Sequence, residues 1–176
     1  FEHFKGYLQT DGYSGYSQFI KNDDIILMGC MAHMRRKFYD SWIAAKRKKS
    51  GDAYKVILMI KKIYKIEESI KDLAADEKYK IRQDESKKIV QEMFDYISTL
   101  ARKYPSESLM GKAITYAKNQ KKQLEVFLTD GKLSIDNNFI ERAVRPFAVG
   151  RNAWKFSAST AGADATPVSE ATEVDD

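Results

Sequence analysis

The sequence predicts an α/β protein dominated by helix, and three observations lead there. Two short strand-like runs open the chain, at residues 6–19 and 24–32, parted by the polar turn Lys21-Asn22-Asp23. Apolar residues then recur at three- and four-residue spacing from about residue 35 to residue 128, the period of a helix with one buried face. After Asp130-Gly131, a turn pair, a fresh helix-start signal appears at Asp136 or Asn137.

The elements follow in order. Residues 25–31 are continuously apolar, as in a strand buried on both faces; residues 13–20 are ambiguous and also suit a short helix. Residues 35–48 predict one helix, ending near Gly51. Residues 53–75 predict a second, with Val56, Ile60, Ile63, Ile66 or Ile70, and Leu73 on one stripe. A polar break comes next, and then residues 86–104 repeat the pattern through Ile89, Met93, Ile97 and Leu100 before Pro105. Residues 109–128 predict another helix, through Ala113, Tyr116, Ala117, Gln120 and Leu124. These stripes are core, and the mixed charges of residues 78–88 are read as a solvated helix face. A last helix starts at Asp136 or Asn137 and is kinked or ended by Pro146. From Ser157 onward small residues and acids replace core formers, so a disordered tail is expected.

Composition narrows the function. Lys and Arg number 30 against 25 acids, for a net charge of +5. Residues 157–176 hold five acids and no base, which leaves +10 on the rest and suits a polyanionic partner. The single cysteine, Cys30, excludes an internal disulfide and fits a reducing cytoplasm. No apolar run reaches the ~20 residues of a membrane span, and the N-terminus lacks a signal-peptide pattern. There is no phosphate-cradling glycine loop, no Gly-x-Ser-x-Gly elbow and no dinucleotide fingerprint.

Two carboxylates stand out. Asp11 closes the run Tyr7-Leu8-Gln9-Thr10, and Glu141 is the one acid in a basic stretch with Arg142 and Arg145. A strand-end Asp and a distant helical Glu suit a pair of hard cations in phosphoryl transfer. Each also has a plainer reading: Asp11-Gly12 as a turn, and Glu141 paired to Arg145 one helical turn on. His33, Arg35 and Arg36 follow the apolar strand, where a sheet's end opens to ligands. Arg142, Arg145, Arg151 and Lys155 surround Trp154 and Phe156, and forked guanidinium donors fit phosphate oxygens. Trp154 stacks on an unpaired base or, more simply, plugs the core. His33 has no companion at metal-ligand spacing, which argues against zinc.

Together the blocks Tyr7-Leu8-Gln9-Thr10-Asp11-Gly12-Tyr13-Ser14-Gly15-Tyr16, Gly29-Cys30-Met31-Ala32-His33-Met34-Arg35-Arg36-Lys37-Phe38, Ile135-Asp136-Asn137-Asn138-Phe139-Ile140-Glu141-Arg142-Ala143-Val144-Arg145-Pro146 and Gly150-Arg151-Asn152-Ala153-Trp154-Lys155-Phe156-Ser157 resemble transposases of the insertion-sequence-66 type. The resemblance covers residues 6–163, tightly at both ends and by helical character between. It implies a ribonuclease-H-like core with an Asp, Asp, Glu set that binds Mg²⁺ or Mn²⁺. Asp11 falls on the second Asp and Glu141 on the Glu. Such metals activate water to cut DNA, and then the freed 3′-hydroxyl to attack a target.

The implied partners are transposon ends and target DNA, with self-association besides. The implied division is a first core part at residues 1–39, a helical insertion at 40–128, the Glu-bearing core helix at 129–156 and a tail at 157–176. No residue before Asp11 matches the family's first Asp, since Glu2 stands in the wrong context. After Gly162-Ala163 the chain also departs from the family's apolar helix. The expectation is therefore a C-terminal piece of the catalytic domain, inactive alone. Two rivals stand beside it: a non-catalytic DNA-binding or assembly module, and a remnant whose helices only pack. Steep salt dependence of DNA affinity marks the first, and a thermal midpoint indifferent to Mn²⁺ marks the second.

Overall fold

A computed structural model of the chain describes residues 5–12 and 24–137. Strands β1 (Gly6–Thr10) and β2 (Ile25–Gly29) pair in parallel, in the register Gly6 to Ile25 through Thr10 to Gly29. Helices follow as α1 (Met31–Ala44), α2 (Asp52–Ser69), α3 (Ala75–Ile81), α4 (Lys87–Leu100), α5 (Leu109–Asn119) and α6 (Lys121–Glu125). A π-turn, Arg82–Ser86, joins α3 to α4, and a 3₁₀ turn, Val126–Thr129, follows α6. The described residues thus form a helix-dominated α/β structure with a small parallel sheet, in keeping with the expected class.

The first strand is shorter than its apolar-polar run suggests. It stops at Thr10, where Asp11 leads into Gly12 at φ +84°, a left-handed angle that glycine adopts without a side-chain clash. Residues 13–23 lie outside the described residues, and the reading of 13–20 with them. The second strand is not buried on both faces. Gly29 packs on Leu124 of α6 and Met28 is buried, yet Ile26 is 44% exposed beside its register partner Tyr7. One face buries Ile25 and Gly29 and half-buries Leu27, and the other is covered only at Met28, near the strand's end.

Helix α1 starts at Met31, four residues before the expected start, because Cys30 stays extended and the helix follows the strand at once. Its end closes on two backbone bonds, Lys46 N–H to Ile43 O and Arg47 N–H to Trp42 O, both 2.9 Å. That pattern needs the left-handed region, and Lys46 and Arg47 occupy it at φ 54° and 55°. A non-glycine residue there costs about 1–2 kcal/mol.

Helix α2 ends at Ser69, short of residue 75. Ile70 leaves helical geometry at φ −104°, ψ 3° and buries, while Leu73 is 39% exposed. Ile70, not Ile66, is therefore the inner member of the stripe. The expected polar break before residue 86 is filled: α3, the π-turn and α4 run without interruption from Ala75 to Leu100. The single helix expected over 109–128 divides where Gln120 departs to φ −99°, ψ 6°. Ser108 caps α5 by accepting the Gly111 N–H at 2.9 Å.

The core is one cluster across α1, α2, α4, α5, α6 and the 3₁₀ turn, built on Met34, Phe38, Ile60, Ile63, Met93, Ile97, Ala117, Leu124 and Phe127. Its buried carboxylate is tied. The Asp52 carboxylate, in the first turn of α2, accepts from Tyr96 Oη (2.7 Å), Tyr104 Oη (2.7 Å) and Lys103 Nζ (2.6 Å). Burial alone would raise its pKa; those donors outweigh it and hold the carboxyl at about 2.

Candidate active site

The site forms where the two strands end on one edge and the chain returns to them after the helical body. Three bonds make that return. Gln9 Nε2 donates to Ser134 O at 3.3 Å, across 125 residues of sequence, and Met31 N–H donates to Ile135 O at 3.1 Å. The Cys30 thiol donates to Asn137 Oδ1 at 2.9 Å. Ile135 is buried between these ties. Residues 134–137 are thereby fixed beside the strand end that bears Asp11.

Asp11 is exposed immediately past β1. Its backbone carbonyl accepts from Tyr116 Oη of α5 at 2.8 Å. Gly12 lies against the same ring, and a β-carbon there would stand 2.8 Å from the Tyr116 Cε2. Burial pushes the Tyr116 phenol up to about 12, so it keeps its proton and stays a donor through the physiological range. Lys37 Nζ sits 4.8 Å from the centre of that ring.

Asp136 suits a helix cap on sequence grounds and, less simply, a ligand. Its Oδ2 accepts from Tyr64 Oη of α2 at 2.6 Å, and the Tyr64 phenol is raised by burial and by this carboxylate. Cys30 is fully buried, and burial raises its thiol pKa. A structural donor suits it better than a nucleophile.

Beneath the returning segment lies Arg82, 2% exposed. Its guanidinium pairs with Glu67 through Nε (2.9 Å) and Nη2 (2.6 Å), and donates to the carbonyls of Phe127 (2.8 Å), Asp130 (2.7 Å) and Leu133 (2.9 Å). Gly131 completes the fit, because a β-carbon there would overlap the Ala75 carbonyl. The solvated-face reading of residues 78–88 thus fails at Arg82. The stripe Leu100, Ile97, Met93, Val90, continued backward at the same spacing, reaches Ser86 and Arg82, both buried. That phase is the signal in the sequence that marks them.

The remaining expected residues divide in two. His33 is half-buried in the first turn of α1, while Arg35 and Arg36 are exposed on that helix, Arg35 lying 6.0 Å from the Tyr39 ring centre. Glu141, Arg142, Arg145, Arg151, Lys155 and Trp154 lie outside the described residues, as do the helix read after Asn137 and the tail. Among the described residues, no group of three or more His, Cys, Asp or Glu is gathered to hold a metal, and no helix is long and apolar enough to cross a membrane.

A family model described as "Transposase IS66 family" matches residues 1–165. The chain belongs to that family. IS66 membership supports a transposase-type function. Similar curated proteins include three from Sinorhizobium fredii. Uncharacterized protein y4qI is 36% identical over 166 residues, covering 90% of this chain and 30% of that protein. Uncharacterized protein y4hP is 31% identical over 183 residues, covering 95% and 33%. Uncharacterized protein y4jD is 28% identical over 167 residues, covering 92% and 32%. The IS66 chain therefore spans about a third of the length of the curated relatives it matches. No solved structure matches it.

Proposed function

We propose that this chain carries two carboxylates of a metal-dependent DNA strand-cleavage and strand-transfer centre, Asp11 and Glu141. They belong to a ribonuclease-H-like core of residues 1–39 and 129–156, interrupted by helices over 40–128. The observation that supports this best is the return of the chain. The bonds from Gln9, Cys30 and Met31 hold residues 134–137, four residues short of Glu141 at their nearer end, beside the strand end with Asp11. Motifs far apart in sequence are drawn to one sheet edge, where ligands of open parallel sheets collect.

The described donors fit a hard divalent cation in kind. Asp11 offers carboxylate oxygen at an exposed strand end, and the buried thiol of Cys30 is not needed. Asp11 and Glu141 would hold Mg²⁺ or Mn²⁺, which supplies charge stabilisation to a phosphoryl oxygen when bound. Tyr116 fixes the Asp11 backbone. Arg35, Arg36, Arg142, Arg145, Arg151 and Lys155 bind phosphates, and His33 is a further DNA contact. This pair alone does not complete an Asp, Asp, Glu set, so the activity belongs to the chain joined to an upstream portion.

The test is Mn²⁺-dependent nicking of supercoiled DNA by the chain fused to an upstream Asp-bearing strand. Asp11→Asn and Glu141→Gln are each expected to abolish nicking while leaving DNA affinity in place. Nicking indifferent to Glu141→Gln overturns the assignment.

A further inference from the structure

Helix α1 leads away from the strand edge and ends in an unbroken run of four cations, Lys46, Arg47, Lys48 and Lys49, all exposed. Among the described residues none of these side chains has an ion-pair partner. The partial negative charge at the C-terminus of α1 accounts for a cation at Lys46 or Arg47, but it falls off within the last turn and does not reach Lys48 and Lys49.

The backbone sharpens the point. Lys46 and Arg47 hold left-handed angles that favour glycine, so charge stands where backbone geometry asks for no side chain. Strained positions of this kind are a pointer to function. The loop is also fixed: Lys46, Arg47 and Lys48 donate backbone N–H groups to Ile43, Trp42 and Ala45, and Gly51 donates back to Lys48. Four cations on a tied loop present their charge with little ordering left to do. Between this loop and the strand edge, the exposed face of α1 carries Arg35, Arg36, Tyr39 and Ile43, with Asp40 as its acid. Tyr39 is braced edge-on by Trp42 at 5.5 Å, and Trp42 stacks on Tyr54 at 5.2 Å.

We infer that the α1–α2 loop is a duplex-DNA contact, taking backbone phosphates at a distance from the reacting one. This rests on the DNA-processing reading above and assigns it a surface that reading does not use. A helix of this length rises about 20 Å, at about 1.5 Å per residue. A duplex lying along α1 from the strand edge therefore meets the loop about six base pairs out, at about 3.4 Å each. The loop meets phosphate, so its grip is indifferent to base sequence and falls with salt.

The test is fluorescence anisotropy of the full chain with a labelled 20-base-pair duplex over a salt series. In the loop variant Lys46→Gly, Arg47→Gly, Lys48→Ser and Lys49→Ser, glycine suits both left-handed positions, so the fold is retained and far-UV circular dichroism is unchanged. The expected result is an affinity loss of about tenfold or more, with the slope of log K against log salt shallower by about two or more, at about 0.9 for each phosphate no longer neutralised. A charge-matched control, Lys61→Gln, Lys62→Gln, Lys65→Gln and Lys88→Gln, is expected to lose less than about threefold. Equal losses in the two variants reduce the effect to net charge and overturn the inference. Binding by the loop variant as tight as that of the parent overturns it too, and leaves the nicking assignment standing. A parent chain with no duplex affinity at low salt, or one that binds anionic lipid vesicles instead, overturns it as well; nicking by the fused protein then decides the catalytic reading separately.

Discussion

Two aspartates show how differently this molecule uses the same side chain. Asp52, in the helical body, is buried and met by Tyr96, Lys103 and Tyr104, so its carboxylate is filled with donors and holds helices together. Asp11, at the strand edge, is exposed, and the hydroxyl that reaches it from Tyr116 grips the backbone carbonyl and not the carboxylate. The body spends its polar groups on itself. The edge fixes its backbone while Asp11 stays exposed, which on the proposed reading suits a cation and a phosphate. On the proposed reading, architecture and function are thereby separated within one set of helices and strands, with Arg82 and Tyr116 as the links between them.

That contrast breaks most readily at Arg82. Arg82→Met strips Glu67 of its buried partner and leaves three carbonyls without their donor, so a loss of about 3–5 kcal/mol is expected. Urea unfolding measures it, and a loss below about 1 kcal/mol would remove Arg82 as a link. Next is Asp52→Asn, expected to cost about 1.5–3 kcal/mol in the same assay through weakened charged hydrogen bonds. The pH dependence has a definite sign. The folded carboxyl sits at about 2, below its ordinary 3.8. Its contribution is therefore complete above about pH 4 and fades as pH falls toward 2, and Asp52→Asn should flatten that acid limb of the stability curve.

Tyr116→Phe removes one partly solvated hydrogen bond and is expected to cost about 0.5–1 kcal/mol. Its larger signature lies at the edge, where the Asp11 backbone loosens and Mn²⁺ raises the thermal midpoint less than in the parent. The smallest stability effect belongs to Asp11→Asn, within about 0.5 kcal/mol as for an ordinary surface change. Yet that variant should lose the Mn²⁺ response altogether. An Asp11→Asn chain still stabilised by Mn²⁺ would place the cation elsewhere and dissolve the contrast between the two aspartates.

Much of the body is legible in the sequence because one period governs it. Val56, Ile60, Ile63, Met93, Ile97 and Ala117 repeat at helical spacing, and all are buried. Helix ends are less legible. Ile70 and Gln120 leave the helix with no glycine or proline to announce it, since packing against neighbours decides those breaks. Arg82 is hidden by its charge: a run such as Lys80, Arg82, Asp84 and Glu85 looks solvated until the apolar phase is carried back through Ser86. At the edge, the resemblance marks Asp11 and the motif from Ile135, but no local pattern foretells the thiol of Cys30 reaching Asn137 or the hydroxyl of Tyr116 reaching Asp11. Those partners are 107 and 105 residues apart, and such pairings are written in the fold and not in any window of sequence.

The bond from Gln9 to Ser134 spans nearly the whole described chain, and it sets a timetable. On the ribosome Asp11 emerges before helices α1 to α6, and its edge cannot close until they have been made, since the segment that closes it comes after them. A nascent chain halted anywhere before Ser134 carries the strand-end acid with nothing to complete it. On the proposed reading, copies halted before Ser134 would carry no closed strand-cutting edge, because the returning segment is made only after the helical body.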